Sequence, residues 1–95
     1  MTSQKVQILN KIGLHARPAS MLVTTAGKYQ SDITIINGER AAIAKSMINL
    51  LSLRVKMNDI VTIQADGNDE EEAIAALVEL INSKFLVIKV FKAKL

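Results

Sequence analysis

The chain has 95 residues, 49% of them apolar but only 3% aromatic, with a formal net charge of +3; that suffices for one domain with a compact aliphatic core. With no cysteine and a single histidine, disulfide frameworks, thiolate metal sites and the usual zinc centres are excluded. The charge is too mild, and Tyr29, Phe85 and Phe91 too scattered, for nucleic-acid binding on a stacking platform. The polar start lacks the apolar stretch of a signal peptide and no run approaches a membrane span, so a cytoplasmic protein without membrane insertion is expected.

Residues 5–9 alternate, with Val6 and Ile8 on one side and Gln7 on the other, and predict a first strand. Residues 10–14 form a loop in which Gly13 supplies backbone freedom before His15. Ala19, Leu22, Val23 and Ala26 recur at helical spacing and predict a helix over 16–26, closed by Gly27, with Ser20, Thr24 and Thr25 on its solvated side. Pro18 suits a first helical turn, where its missing N–H has no intrahelical partner. Because a residue before proline avoids the helical region, Arg17 is expected as the cap, with His15 just outside.

A second strand over 33–36, the hairpin signal Asn37-Gly38 and a third strand over 39–43 follow. Ser46 is placed as N-cap of a short helix through about residue 53. Residues 54–59 form a turn, and 60–65 alternate as a fourth strand with Val61, Ile63 and Ala65 on one face. After a turn at 66–68, Asn68 or Asp69 caps the last helix. Glu70, Glu71 and Glu72 complement the dipole of its first turn, a plainer role than a catalytic carboxylate cluster. Its buried stripe is Ile74, Leu77, Val78, Ile81 and Phe85.

The order β-α-β-β-α-β-α, with one apolar face per strand, implies an α+β open-faced sandwich: a four-stranded antiparallel sheet with three helices on one face. Residues 1–85 are expected to form this domain. Residues 86–95, apolar with interspersed lysines, form a tail that could extend the last helix, add an edge strand or pack on a neighbouring molecule.

The chemistry concentrates in Gly13-Leu14-His15-Ala16-Arg17-Pro18-Ala19, which holds the chain's only histidine and only proline. A lone histidine is more often a surface or structural residue. Here, however, a helix start offers unpaired N–H donors and a positive dipole end, and Arg17 adds a permanent cation, so an anion is favoured beside His15. A neutral imidazole is a nucleophile, and the same groups would stabilise a phosphoryl group attached to it. No second histidine, cysteine or base partner is present to complete a hydrolytic triad.

Met47, Ile48, Leu50, Leu51 and Leu53 make the short second helix apolar on nearly every face. Leu51 and Leu53, with Ile48 or Leu50, are expected in the core. The surplus, Met47 and one neighbour, should form an exposed patch of the kind that marks partner sites.

The stretch from Gly13 to Ala19 resembles the active-centre motif of the HPr family, histidine phosphocarriers of the bacterial phosphoenolpyruvate-dependent sugar phosphotransferase system. Lys45-Ser46-Met47-Ile48-Asn49-Leu50-Leu51-Ser52-Leu53 resembles the family's second signature at the matching distance, and the likeness covers roughly residues 5–84. It implies that His15 accepts a phosphoryl group from phosphorylated enzyme I and hands it to enzyme IIA domains for sugar uptake. Arg17 and the backbone N–H groups of Ala16 and Arg17 would hold the phosphate, without metal or cofactor, and the protein would be a shuttle rather than an enzyme.

The resemblance further implies that Ser46 is a regulatory phosphorylation site for a serine kinase/phosphorylase, read by a catabolite-control transcription regulator. Met47, Ile48, Leu51, Arg54 and Ser20 would form the docking surface, where Arg17 and nearby lysines suit acidic partners. An alternative of a different class is a regulatory binding protein acting mainly through phosphorylated Ser46. A small acylphosphatase-like hydrolase is disfavoured by the His-Ala-Arg-Pro context. The chain departs from the family pattern at Asn49, Arg54 and Met57, where family members commonly carry glycine.

Overall fold

A computed structural model describes residues 1–11 and 13–85; the expected tail at 86–95 lies outside the described residues. The elements run β1 (Thr2–Gln7), α1 (Ala16–Ala26), β2 (Asp32–Asn37), β3 (Arg40–Ile43), α2 (Met47–Ser52), β4 (Ile60–Asp66) and α3 (Glu70–Asn82). All strand pairs are antiparallel, and the sheet order is β1-β4-β2-β3. The open-faced α+β sandwich expected from the element order is the fold observed.

Alternation explains the two faces of the sheet. Val6, Ile33, Ile35, Ala42, Val61, Ile63 and Ala65 are buried, while Lys5, Thr62, Ile36 and Ala41 lie in register across all four strands on the opposite face. The helices close the buried side with Leu22 of α1, Leu50 of α2, and Leu77 and Ile81 of α3, each essentially inaccessible. Burial of each such side chain contributes roughly 1.5–3 kcal/mol.

Several boundaries differ from those expected. β1 begins at Thr2 and ends at Gln7, because its ladder with β4 runs from Thr2↔Ala65 to Gln7↔Ile60. Backbone pairing at a sheet edge needs no apolar side chains, so Ser3 and Gln4 left no periodic signal. Ile8 is buried as expected but pairs outside the ladder, its N–H donating to the Asp59 carbonyl (2.9 Å) and its carbonyl accepting from Asn58 (2.7 Å).

The hairpin is present but its turn is Gly38-Glu39, with Asn37 paired to Arg40 inside the ladder. Gly38 alone takes a positive φ, +64°, as in a two-residue turn with glycine at its first central position.

In α2, Leu50 and Leu53 are buried, whereas Leu51 (40% accessible) and Ile48 (79%) face outward. The expectation that Leu51 belongs to the core is corrected. Six residues present only one short row to the sheet, and Leu50 and its C-cap Leu53 take it.

Asp69 is the N-cap of α3, yet its side chain makes no cap bond. Its carboxylate instead accepts from the N–H groups of Gln30 (2.8 Å) and Ser31 (3.0 Å) and from the Ser31 hydroxyl. The Ser31 hydroxyl, then the Gln30 N–H, hold the Asp69 carboxyl below the ordinary carboxylate range. Glu70 caps the same turn by accepting from Gly67 N–H (3.1 Å).

Phe85, expected on the buried stripe of α3, is buried but not helical. The helix ends at Asn82, and Lys84 and Phe85 take φ of +60° and +62°. Phe85 N–H donates to the Leu80 carbonyl (3.0 Å) and Lys84 N–H to that of Ile81 (2.9 Å). These paired 6→1 and 5→2 bonds make a Schellman stop, which folds the phenyl ring back into the core.

Candidate functional site

The loop before α1 is tied down on both sides. Gly13 N–H donates to the Asn10 carbonyl (3.1 Å), the Asn10 side-chain amide returns a bond to the Gly13 carbonyl, and Leu14 N–H reaches the Val55 carbonyl (3.1 Å). Leu14 and Ala19, on either side of the helix start, are both buried, the arrangement of a hydrophobic staple that sets the entry angle of a helix.

The helix bounds match those expected, but the cap does not. His15 is itself the N-cap, with extended backbone (φ −94°, ψ −167°), and its carbonyl accepts the first helical bond from Ala19 N–H (2.9 Å). Arg17 lies inside the first turn. The pre-proline preference is a bias, and it yields here because the staple and the anchored loop start the helix two residues earlier.

With the first bond formed at Ala19, the N–H groups of Ala16 and Arg17 have no intrahelical acceptor. The His15 side chain makes no cap bond to them. These donors and the exposed imidazole therefore share the positive end of the α1 dipole. This arrangement suits an anion held on or beside His15, with the cap two residues before the expected Arg17.

His15 opens onto a shallow concavity of about 380 Å³ lined by Asn10, Lys11, His15, Arg17, Pro18, Lys84 and Phe85. Its charged side chains are all cationic, and none of them enters a recorded ion pair among the described residues. Pro18 and Phe85 are buried and form its apolar floor, while Lys11, His15, Arg17 and Lys84 are exposed. Among the described residues, no group of three or more histidine, cysteine or acidic side chains could hold a metal ion.

His15 and Arg17 thus line one concavity, together with Asn10, Lys11, Lys84 and Phe85. Asn10 and Lys11 are neighbours in the loop and were available to sequence reading as a cation near the histidine. Lys84 and Phe85 carried no local signal, since only the packing of α3 brings them here.

The other expected residues lie on different elements. Ser46 is the N-cap of α2, its hydroxyl oxygen accepting from Asn49 N–H (3.3 Å). α2 packs against α1 and presents exposed Ile48 and Leu51 beside half-buried Met47. Ser20 is exposed on α1. Arg54, with φ +54°, belongs to a second concavity with Asn37, Glu39, Arg40, Leu53, Lys56 and Asp59, separate from that of His15.

Residues 2–83 match the family model described as PTS HPr component phosphorylation site. The chain is 44% identical over 80 residues to "Phosphocarrier protein HPr" of Mycoplasma capricolum, covering 84% of this chain and 90% of that protein. Its likeness to the protein of the same name from Haemophilus influenzae is 43% identity over 81 residues, covering 85% and 95%. Among solved structures, HPr-C-His from Thermoanaerobacter tengcongensis superposes with a TM-score of 0.87 at 47% identity, covering 90% of this chain and 96% of that one. No helix among the described residues is long and apolar enough to cross a membrane.

Proposed function

This chain belongs to the HPr family of phosphocarrier proteins, and from that premise we propose that His15 is its phosphoryl acceptor, charged by phosphorylated enzyme I and discharged to enzyme IIA domains that serve sugar uptake. The observation that carries this reading is the exposed imidazole at the N-cap of α1, beside Arg17 and two N–H groups without helical acceptors.

On charging, the bond from phosphorus to the donor atom breaks as one to the lone-pair nitrogen of the neutral His15 imidazole forms, the ring's N–H proton balancing the leaving donor. On discharge that P–N bond breaks as one to the acceptor atom of the enzyme IIA domain forms, and the ring takes a proton back. Arg17 and the N–H groups of Ala16 and Arg17 balance the dianionic phosphoryl group. A shallow, open concavity suits a group that must be passed on to another protein. On this reading the carrier works in the cytoplasm, uses neither cofactor nor metal, and leaves catalysis to the partner enzymes. Met47, Ile48, Leu51 and Ser20 supply the docking surface, with Arg54 at its margin. Phosphoenolpyruvate with enzyme I should give an acid-labile, base-stable phosphoprotein; persistence of the label in His15→Ala overturns the assignment.

Ser46 supports a second, regulatory role. Its hydroxyl sits at a helix start, half-buried on the element that carries the apolar patch, and a helix start tolerates added negative charge. Phosphorylation there by a serine kinase/phosphorylase would oppose docking of acidic partners and offer a mark to a catabolite-control transcription regulator. Recovery of phosphoserine alone from cells, with no phosphohistidine, would make that role the principal one.

A further inference from the structure

Resting on the reading of His15 as phosphoryl acceptor, we propose that Lys84, just past the end of α3, supplies a further cation to the phosphoryl group and biases the transfer equilibrium toward the phosphorylated carrier.

Lys84 follows the end of α3, yet it lines the same concavity as His15, Arg17 and Lys11. Its backbone is held by the Schellman bonds of Lys84 to Ile81 and Phe85 to Leu80, and the buried Phe85 ring anchors the turn beside Pro18. The position after a helix that takes φ near +60° ordinarily favours glycine; here it carries a long cation instead. That cation is not needed to cap the helix, because the carbonyls of Glu79, Leu80 and Ile81 already accept from Ser83, Phe85 and Lys84 N–H groups.

Nor is the ammonium in a recorded ion pair among the described residues, and no acidic side chain lines the concavity. A dianionic group on His15 would bring negative charge into a concavity whose charged side chains are all cationic. Lys84 would thus complete a cationic rim whose other members, Lys11 and Arg17, come from the opposite end of the sequence. Its effect is electrostatic and partly exposed to water, so it should be modest and screened by salt.

The test is a competition for phosphate. Phosphorylated wild-type protein is mixed with an equal amount of unphosphorylated Lys84→Asn and catalytic enzyme I, and the equilibrium distribution is read by mass spectrometry. Asparagine accepts the left-handed backbone, so the variant removes the charge without disturbing the turn. The wild type should retain roughly two- to fivefold more phosphate at low salt, the bias should shrink in high salt, and Lys84→Arg should compete evenly. An even split with Lys84→Asn, or a bias that ignores salt and persists in Lys84→Arg, overturns the proposal. If the wild type takes no label from enzyme I, the phosphocarrier reading itself fails, and the role of Lys84 falls with it.

Discussion

Gly13 packs its Cα directly against the backbone at Val55. Leu14 N–H donates to the Val55 carbonyl at 3.1 Å, and a Cβ on Gly13 would collide with that oxygen and come within 2.8 Å of Lys56 Cα. With φ at +72°, the position also disfavours any side chain on backbone grounds. The loop that presents His15 is therefore pinned to the α2–β4 connection by a contact that only glycine permits.

Gly13→Ala should cost roughly 2–4 kcal/mol of stability, since neither backbone wall can retreat without breaking the Leu14 bond. Urea denaturation measures this. On the proposed role of His15, the rate of phosphoryl acceptance should fall as well, even below the denaturation midpoint, because the loop that sets the imidazole must shift.

Ser46→Ala removes the acceptor for Asn49 N–H and should lower stability by about 1 kcal/mol. Ser46→Asp keeps an acceptor at the cap and should stay near wild type in the same urea titration. On the proposed reading of α2 as a docking surface for acidic partners, it should nevertheless bind an enzyme IIA domain more weakly, since it adds negative charge there. Equal stability losses for both variants would show that the cap bond is not what Ser46 contributes.

Ile48 is 79% accessible, so Ile48→Arg should change stability by no more than about 0.5 kcal/mol. If α2 forms the docking surface, affinity for enzyme I should drop about tenfold or more by titration calorimetry. Loss of stability without loss of affinity would move the interface elsewhere.

Acid stability should depend on the α3 start. The Ser31 hydroxyl and the Gln30 N–H lower the Asp69 carboxyl, and the Gly67 N–H, then the Met1 ammonium 3.2 Å away, lower that of Glu70. A carboxyl whose folded pKa lies below its unfolded value contributes stability that is fully present above the unfolded value and is lost as pH falls through the folded one. Wild-type thermal stability should therefore fall below about pH 4. Asp69→Asn should be less stable at neutral pH, with the difference closing in acid. A constant difference across the titration would assign the loss to packing.

Local patterns carried most of the fold. The 3.6-residue spacing of Ala19, Leu22 and Ala26 and the alternation of Val61, Ile63 and Ala65 depend on side chains meeting a core, so α1 and β4 were legible nearly to the residue. Ser46 as N-cap was legible for the same local reason. Where the determinant was backbone pairing or packing, legibility ended. The start of β1 and the outward face of Leu51 were set by partners distant in sequence, and the turn at Gly38-Glu39 by the register that pairs Asn37 with Arg40. At the His15 cap the pre-proline bias lost to the anchored loop and the staple of Leu14 with Ala19.

By itself, then, the sequence determined the sandwich and a histidine at a helix start with Arg17 beside it, because period, caps and motif are properties of neighbouring residues. Only the tertiary structure decided what surrounds that histidine. Residues 15 and 84 stand at opposite ends of the domain in sequence, and nothing short of α3 packing along the sheet and stopping in a left-handed turn brings Lys84 and Phe85 to its concavity.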